Sequence, residues 1–183
     1  ENALAIEEAG GDELAIHART KVEGYKPPAY WQDLAIINQT LKIPVIANGE
    51  IWTLHDLKQC QEQSTCSNIM LGRGLVACPD LALMAKGINL QSVNFRQILI
   101  LLEHYFYQLK PVYPDKYLNN LIKQWLIYLR MQYGEAHLFF ETIKKLRDTD
   151  SMLQAIKEAQ AKRPAVLETL GGLHLSGDQA LQA

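Results

Sequence analysis

The stretch Ile43-Pro44-Val45-Ile46-Ala47-Asn48-Gly49-Glu50 decides the fold. Its apolar residues run without alternation and end at a tip that is polar and carries a glycine. A short run of this kind reads as a strand buried on both faces, as parallel sheets require. The same pattern recurs on either side. Leu14-Ala15-Ile16 precedes it and ends in His17-Ala18-Arg19-Thr20; Asn68-Ile69-Met70-Leu71 follows and ends in Gly72-Arg73-Gly74. Helical patterns lie between them. Trp31 to Leu41 places Leu34, Ile37 and Leu41 on one face, and Thr53 is suited to cap a helix from Leu54 to Gln63. An earlier helix, with Ala3, Leu4, Ile6 and Ala9, closes at Gly10-Gly11. Helices alternating with buried strands predict a parallel α/β architecture. Three strands neither close a barrel nor cover two faces, so apolar edges are expected to stay exposed unless more polypeptide covers them.

Beyond about Gly87 the pattern changes to helices alone. Ser92 or Asn94 caps a helix reaching about Lys110, which Pro111 and Pro114 interrupt. Pro114 suits the first turn of the next helix, expected to run to about Tyr133 and stop at Gly134. Along it Leu118, Leu121, Ile122, Trp125, Leu126 and Leu129 make one apolar stripe. Glu135 to Arg147 and Ser151 to Lys162 complete a small bundle. The expected organisation is α/β plus all-α, with residues 1–87 as the first domain, 88–163 as the helical one and 164–183 as a loosely held tail.

Charge follows the same division. Residues 1–90 carry 7 basic and 11 acidic side chains, residues 91–183 carry 11 and 9, and the window 110–147 has a net charge of +4. The whole chain, 183 residues with a net charge of −2, is 48% hydrophobic and 21% charged, which excludes collagen-like and disordered classes. Its longest apolar run, Ile98 to Leu102, falls far short of the roughly 18 residues of a membrane span. No membrane is expected as a partner. Cys60, Cys66 and Cys78 are odd in number and form no CxxC pair, which favours a reducing cytoplasm over a disulfide framework or zinc knuckle. No metal site is expected.

The strand tips carry the chemistry. Gly49 and the pair Gly72/Gly74 allow close backbone approach, loop N–H groups attract anions, and Arg73 adds a charged fork. Such loops on consecutive units suit a phosphate. Taken alone, each loop equally serves as a plain turn. His17, at the corresponding tip, has an imidazole able to hydrogen-bond a flavin or nucleobase carbonyl. Arg19 suits either a ligand or a rim salt bridge. On the later helix Lys116, Lys123 and Arg130 recur every seven residues, and Lys144, Lys145 and Arg147 follow; these make a phosphate-backbone patch or a solvated face. Tyr128 adjoins this set. The cysteines have no histidine nearby in sequence and read as structural, and no convincing general acid is present.

The tips His17-Ala18-Arg19-Thr20, Asn48-Gly49-Glu50-Ile51 and Gly72-Arg73-Gly74, with Ile122-Lys123-Gln124-Trp125-Leu126-Ile127-Tyr128-Leu129-Arg130, resemble the tRNA-dihydrouridine synthases from Glu1 to about Ile156, and within them the C subfamily. The resemblance implies the C-terminal part of a TIM (β/α)8 barrel carrying FMN, about three βα units, followed by a helical bundle that grips tRNA. It implies reduction of a D-loop uridine, U16, with NADPH as reductant. It assigns His17, Asn48, Gly49, Glu50, Gly72 and Arg73 to FMN, and Arg19, Tyr25, Lys123, Tyr128, Arg130 and Lys144 to tRNA. Departures accompany it. The proton-donating cysteine of the family has no counterpart here and is expected upstream, so the isolated chain is expected to be inactive. Leu121 stands where relatives usually carry arginine, and Ala18 replaces a glycine. Two other functions fit the residues: an RNA-binding or interaction module without catalysis, and another FMN-dependent barrel oxidoreductase. Self-association through the incomplete barrel is also expected.

Overall fold

In the computed structural model, which describes residues 1–24, 26–88 and 93–162, the three expected strands form one parallel sheet. They are β1 (Leu14–His17), β2 (Val45–Asn48) and β3 (Asn68–Met70), in sequential order. Ala15 pairs with Ile46 and Ile46 with Asn68; His17 pairs with Asn48 and Asn48 with Met70. Helix α1 (Asn2–Glu8) precedes β1, while α2 (Trp31–Thr40) and α3 (Leu54–Ser64) connect the strands. β1 and β2 are therefore each followed by a helix that returns the chain to the start of the next parallel strand, the repeat from which a barrel arc is made.

β2 starts two residues later than the apolar run suggests. Pro44 has no N–H, and the amides of Lys42 and Ile43 are taken by the Glu7 carboxylate at 2.5 and 2.9 Å. The ladder therefore begins at Val45. Helix α3 begins where Thr53 predicts, through a reciprocal box: Thr53 Oγ1 accepts from Asp56 N, and Asp56 Oδ2 accepts from Thr53 N. One sheet face, with Leu14, Ile16, Val45, Ala47 and Ile69, packs under α2 and α3 with Trp31, Leu34 and Cys60. The opposite face is open: Ala15, His17 and Asn68 are exposed and Met70 is 51% exposed. Covering one face only is the expected consequence of three strands.

After β3 the chain enters two short helices that the sequence pattern does not announce, α4 (Arg73–Ala77) and α5 (Leu81–Ala85). Four longer helices follow: α6 (Phe95–Leu109), α7 (Asp115–Leu129), α8 (Gly134–Ile143) and α9 (Thr149–Ala161). Asn94 caps α6 with Gln97 in a second reciprocal box. Helix α7 ends four residues before the expected Tyr133, in a tight turn where Met131 N and Gln132 N reach back to Tyr128 and Leu129 carbonyls, and Gly134 opens α8 rather than closing α7. α8 likewise ends at Ile143, short of Arg147, and Asp148 caps α9. Leu118, Ile122, Leu126 and Leu129 of the α7 stripe are fully buried together with Phe106, Ile143, Met152 and Ile156. Leu121 and Trp125 lie on the margin of this core. At roughly 1.5–3 kcal/mol for each buried large aliphatic, this stripe is what holds the four helices together. Ser92, Tyr25 and the tail 164–183 lie outside the described residues.

Candidate active site

The C-terminal tips of β1, β2 and β3 meet at one cavity of about 410 Å³, lined by His17, Asn48, Gly49, Glu50, Gly72 and Arg73, with Ile51, Trp52, Met70, Gly74 and Tyr128 completing the wall. Its size lies within the range of small-molecule sites. All six residues assigned to a cofactor from the sequence thus line a single space, at the edge of a parallel sheet where ligands bind.

Glu50 organises the charges. It sits at φ 55°, left-handed for a non-glycine residue, directly after Gly49 at φ 121°. The carboxylate accepts from Arg19 Nη2 on Oε2 and from Trp52 Nε1 on Oε1 at 2.8 Å, while Arg73 Nη2 stands 3.8 Å from Oε2. The Arg19 side chain is fully buried, its Nε donating to the Pro28 carbonyl at 3.0 Å. Burial pushes the Glu50 carboxyl up, but the Arg19 and Trp52 hydrogen bonds and the two guanidinium charges outweigh it and hold the group below the usual carboxylate range. Arg73 lies over the Trp52 ring, 5.1 Å from its centroid, and is about one-third exposed. Two guanidinium groups against one carboxylate leave the rim positive.

His17 is exposed, and its imidazole is held below the ordinary histidine range by partial burial first, then by Arg19 and Arg73, against an opposing pull from Glu50. The downward shift favours the neutral form of the ring. Because the native state takes up this proton less readily than the unfolded chain, the group's contribution to stability falls as pH drops through the ordinary histidine range towards the lowered native value. An NMR titration should place the His17 midpoint below the ordinary histidine value, and His17→Gln should flatten that part of the stability profile.

The glycines fit this geometry for different reasons. A Cβ at Gly49 would come within 3.3 Å of His17 Cε1, and its carbonyl accepts from Trp31 Nε1 at 2.8 Å. A Cβ at Gly72 meets no protein atom within 4 Å, so the space beside it is cavity. Gly74 is needed for packing: a Cβ there would stand 2.1 Å from the Ile51 carbonyl oxygen.

The residues assigned to RNA are dispersed. Tyr128 joins the cavity wall. Arg19 is buried beneath Glu50. Lys123 donates from Nζ to the Leu146 carbonyl at 2.7 Å, beyond the end of α8, and its ammonium is shifted downward by partial burial and the nearby Arg147 charge. Four residues earlier on α7, Asn119 Nδ2 donates to the Asp148 carbonyl at 2.9 Å, so two α7 side chains hold the basic segment 144–148 in place. Lys144 pairs with Glu141, and Arg130 lies 5.9 Å from the centroid of the Phe140 ring. Tyr25 lies outside the described residues. Two bonds tie α7 and the turn after it to the sheet half: Trp125 Nε1 donates to the Val76 carbonyl at 2.9 Å and Gln132 Nε2 to the Trp52 carbonyl at 3.1 Å. Trp52 is the functional candidate that sequence reading misses; its only signal was an aromatic residue two positions after a strand-tip acid.

The family model of dihydrouridine synthase (Dus) matches residues 1–163. The tRNA-dihydrouridine(16) synthase of Shewanella oneidensis is 42% identical over 160 residues, 87% of this chain and 50% of that protein. Its counterpart in Pseudomonas putida is 42% identical over 152 residues, 81% of this chain and 47% of that protein. That of Escherichia coli K12 is 38% identical over 158 residues, 86% and 50% respectively. The chain spans about half the length of the curated relatives it matches. A family model that matches across most of the chain places this chain in the dihydrouridine synthase family.

Proposed function

We propose that the chain is the C-terminal part of a tRNA-dihydrouridine synthase, whose strand-tip cavity holds the phosphate and ribityl end of FMN and whose helices bind tRNA. The sheet half, residues 1–87, is the closing arc of a TIM barrel; residues 88–163 form the helical bundle domain. The observation that carries this is the meeting of His17, Asn48, Gly49, Glu50, Gly72 and Arg73 around one cavity to which α7 contributes Tyr128.

These residues suit a flavin phosphate. The space beside Gly72 is open to a ligand, Arg73 offers a charged fork at the rim, and Arg19 offsets the Glu50 charge from below. Bound FMN, reduced by NADPH, would supply the hydride that saturates the C5–C6 bond of a D-loop uridine, U16. Neutral His17 presents a ring nitrogen for hydrogen bonding at the open sheet face, and Asn48 is oriented by donating Nδ2 to the Met70 carbonyl at 2.7 Å. Phosphates of the tRNA meet Lys144, Lys145, Arg147 and Arg130, with Lys123 and Asn119 fixing the segment that carries most of them. Cys60, Cys66 and Cys78 are all buried, and none lines the cavity; burial pushes the Cys60 and Cys78 thiols up to about 11. The proton donor is therefore assigned outside these residues, and the chain by itself is expected neither to retain FMN nor to reduce uridine. Its open sheet face is covered by further polypeptide, either the rest of the barrel or a second copy.

The test joins this chain to the half of the Shewanella oneidensis protein that it does not match. The product should be a yellow flavoprotein that forms dihydrouridine in tRNA. Its tRNA affinity should fall with salt, and Lys144→Ala should reduce the logarithmic salt slope by about 1. A colourless product that still binds tRNA would replace this reading with an RNA-binding module. A colourless product without tRNA binding would refute both.

A further inference from the structure

We propose that the corner between α6 and α7 is a stacking platform for unpaired nucleobases of RNA, built from Tyr113 and Tyr117 with Lys116 beside them. It rests on the reading of the helical half as the part that meets RNA, and it adds contact with bases to the phosphate contacts proposed above. The stretch from Lys110 to Tyr117 is exposed at every residue. Val112 is 69%, Tyr113 42% and Tyr117 50% exposed, whereas Leu118, the next residue along α7, is fully buried in the core. The corner also holds its rings on a fixed backbone. Val112 N and Tyr113 N both donate to the Leu109 carbonyl at 2.9 Å, and Tyr117 N donates to the Pro114 carbonyl at 2.9 Å. Pro111 and Pro114 restrict the backbone between them. A surface already ordered in this way loses little entropy when a ligand stacks on it.

Charge selects the partner. Lys110 and Lys116 flank the rings, against the single acid Asp115. The Lys116 ammonium lies 4.7 Å from the centroid of the Tyr117 ring. A ring has two faces, and Tyr117 remains half exposed with the ammonium over one of them. A base stacked on this corner therefore brings its phosphate beside a cation, the combination by which single strands are held. Position on α7 points the same way. Lys116, Asn119 and Lys123 recur at spacings of three and four and so share one helix face. Asn119 and Lys123 use that face to hold the Asp148 and Leu146 carbonyls, so Lys116 continues the row one turn beyond the basic segment proposed to meet phosphates. The bases of a duplex are already paired and stacked on one another, so only unpaired nucleotides offer a free face to these rings.

The experiment measures fluorescence anisotropy of a labelled single-stranded oligouridylate with the 183-residue chain at low salt, beside a labelled RNA duplex of the same length. Tyr113→Ala and Tyr117→Ala should each weaken binding of the single strand by roughly fivefold and leave binding of the duplex unchanged. Tyr113→Phe and Tyr117→Phe, which keep the ring, should bind the single strand as the wild type does. Lys116→Ala should lower the logarithmic salt slope for the single strand by about 0.7. Circular dichroism confirms that these surface variants keep their helices. A wild type that binds RNA with the same affinity as both alanine variants would overturn the platform and leave the RNA reading of the helical half in place. Phenylalanine variants as weak as the alanine ones would assign the contact to the hydroxyl groups and overturn stacking. A wild type that binds neither RNA would refute both the platform and the reading beneath it. Self-association in sedimentation that the alanine variants abolish, without any effect on RNA binding, would give this corner to a second copy of the chain instead.

Discussion

Gly74→Ala should cost about 3 kcal/mol, the upper end of the range for forcing a methyl into a packed interior. The reason is the nature of the obstacle. The added carbon would stand 2.1 Å from the Ile51 carbonyl oxygen and 3.4 Å from Leu81 Cδ2. A flexible side chain could swing aside, but a backbone carbonyl moves only with its neighbours, and here those are Glu50 and Trp52. The substitution therefore also distorts the cavity rim. For a chain of this size the loss corresponds to a fall in Tm of about 6–12 °C by circular dichroism. Gly134→Ala is the control: a Cβ there meets nothing within 4 Å and the residue opens α8, so the melting temperature should hold or rise slightly. Equal melting temperatures for the two variants would show that α4 does not press on the Ile51 carbonyl.

Glu50→Gln is the second large effect. It keeps the shape of the side chain and removes the charge facing a fully buried guanidinium. Breaking a buried ion pair from one side costs about 3–5 kcal/mol, and partial exposure of Glu50 places the value near 3. The pH dependence distinguishes lost charge from lost packing. Because the native carboxyl is held below the ordinary range, its contribution is complete above the ordinary carboxylate range and disappears as pH falls through the lowered native value. Urea melts should therefore show wild type and Glu50→Gln far apart at neutral pH and converging in acid. A gap that persists unchanged in acid would mean that the variant is destabilised through packing and not through Arg19.

The three parallel strands and their polar tips were legible because both are local: a continuous apolar run with a glycine-bearing end names a parallel strand and its ligand edge together. What escaped depends on distant partners. The start of β2 is fixed by Glu7, which takes the Lys42 and Ile43 amides. The short α4 and α5 were hidden because Gly72-Arg73-Gly74 reads as a loop, whereas Gly74, where Ile51 leaves no room for a side chain, lies within α4. Helical phase placed Lys123 with Lys116 and Arg130, but its ammonium reaches the Leu146 carbonyl, a contact that depends on where α8 ends. Trp52 belongs to no periodic pattern, and only the folded loop shows it between Glu50 and Arg73.

One helix register serves two sets of partners, and this restricts how the protein can vary over evolutionary time. The buried stripe of α7 fixes its rotation against α6 and α9, while Trp125 at the margin of that core and Gln132 in the turn just past the helix reach the Val76 and Trp52 carbonyls. Inserting or deleting a single residue within α7 turns everything beyond it by about 100°. Such a change would swing Leu126 or Leu129 out of the core and carry Gln132 away from the sheet half at once. Substitutions along α7 can be absorbed one at a time, but changes in its length cannot. Natural length variation in this chain should therefore accumulate in the connecting loops, such as the one between Thr20 and Pro28, and leave the span from Asp115 to Gln132 constant.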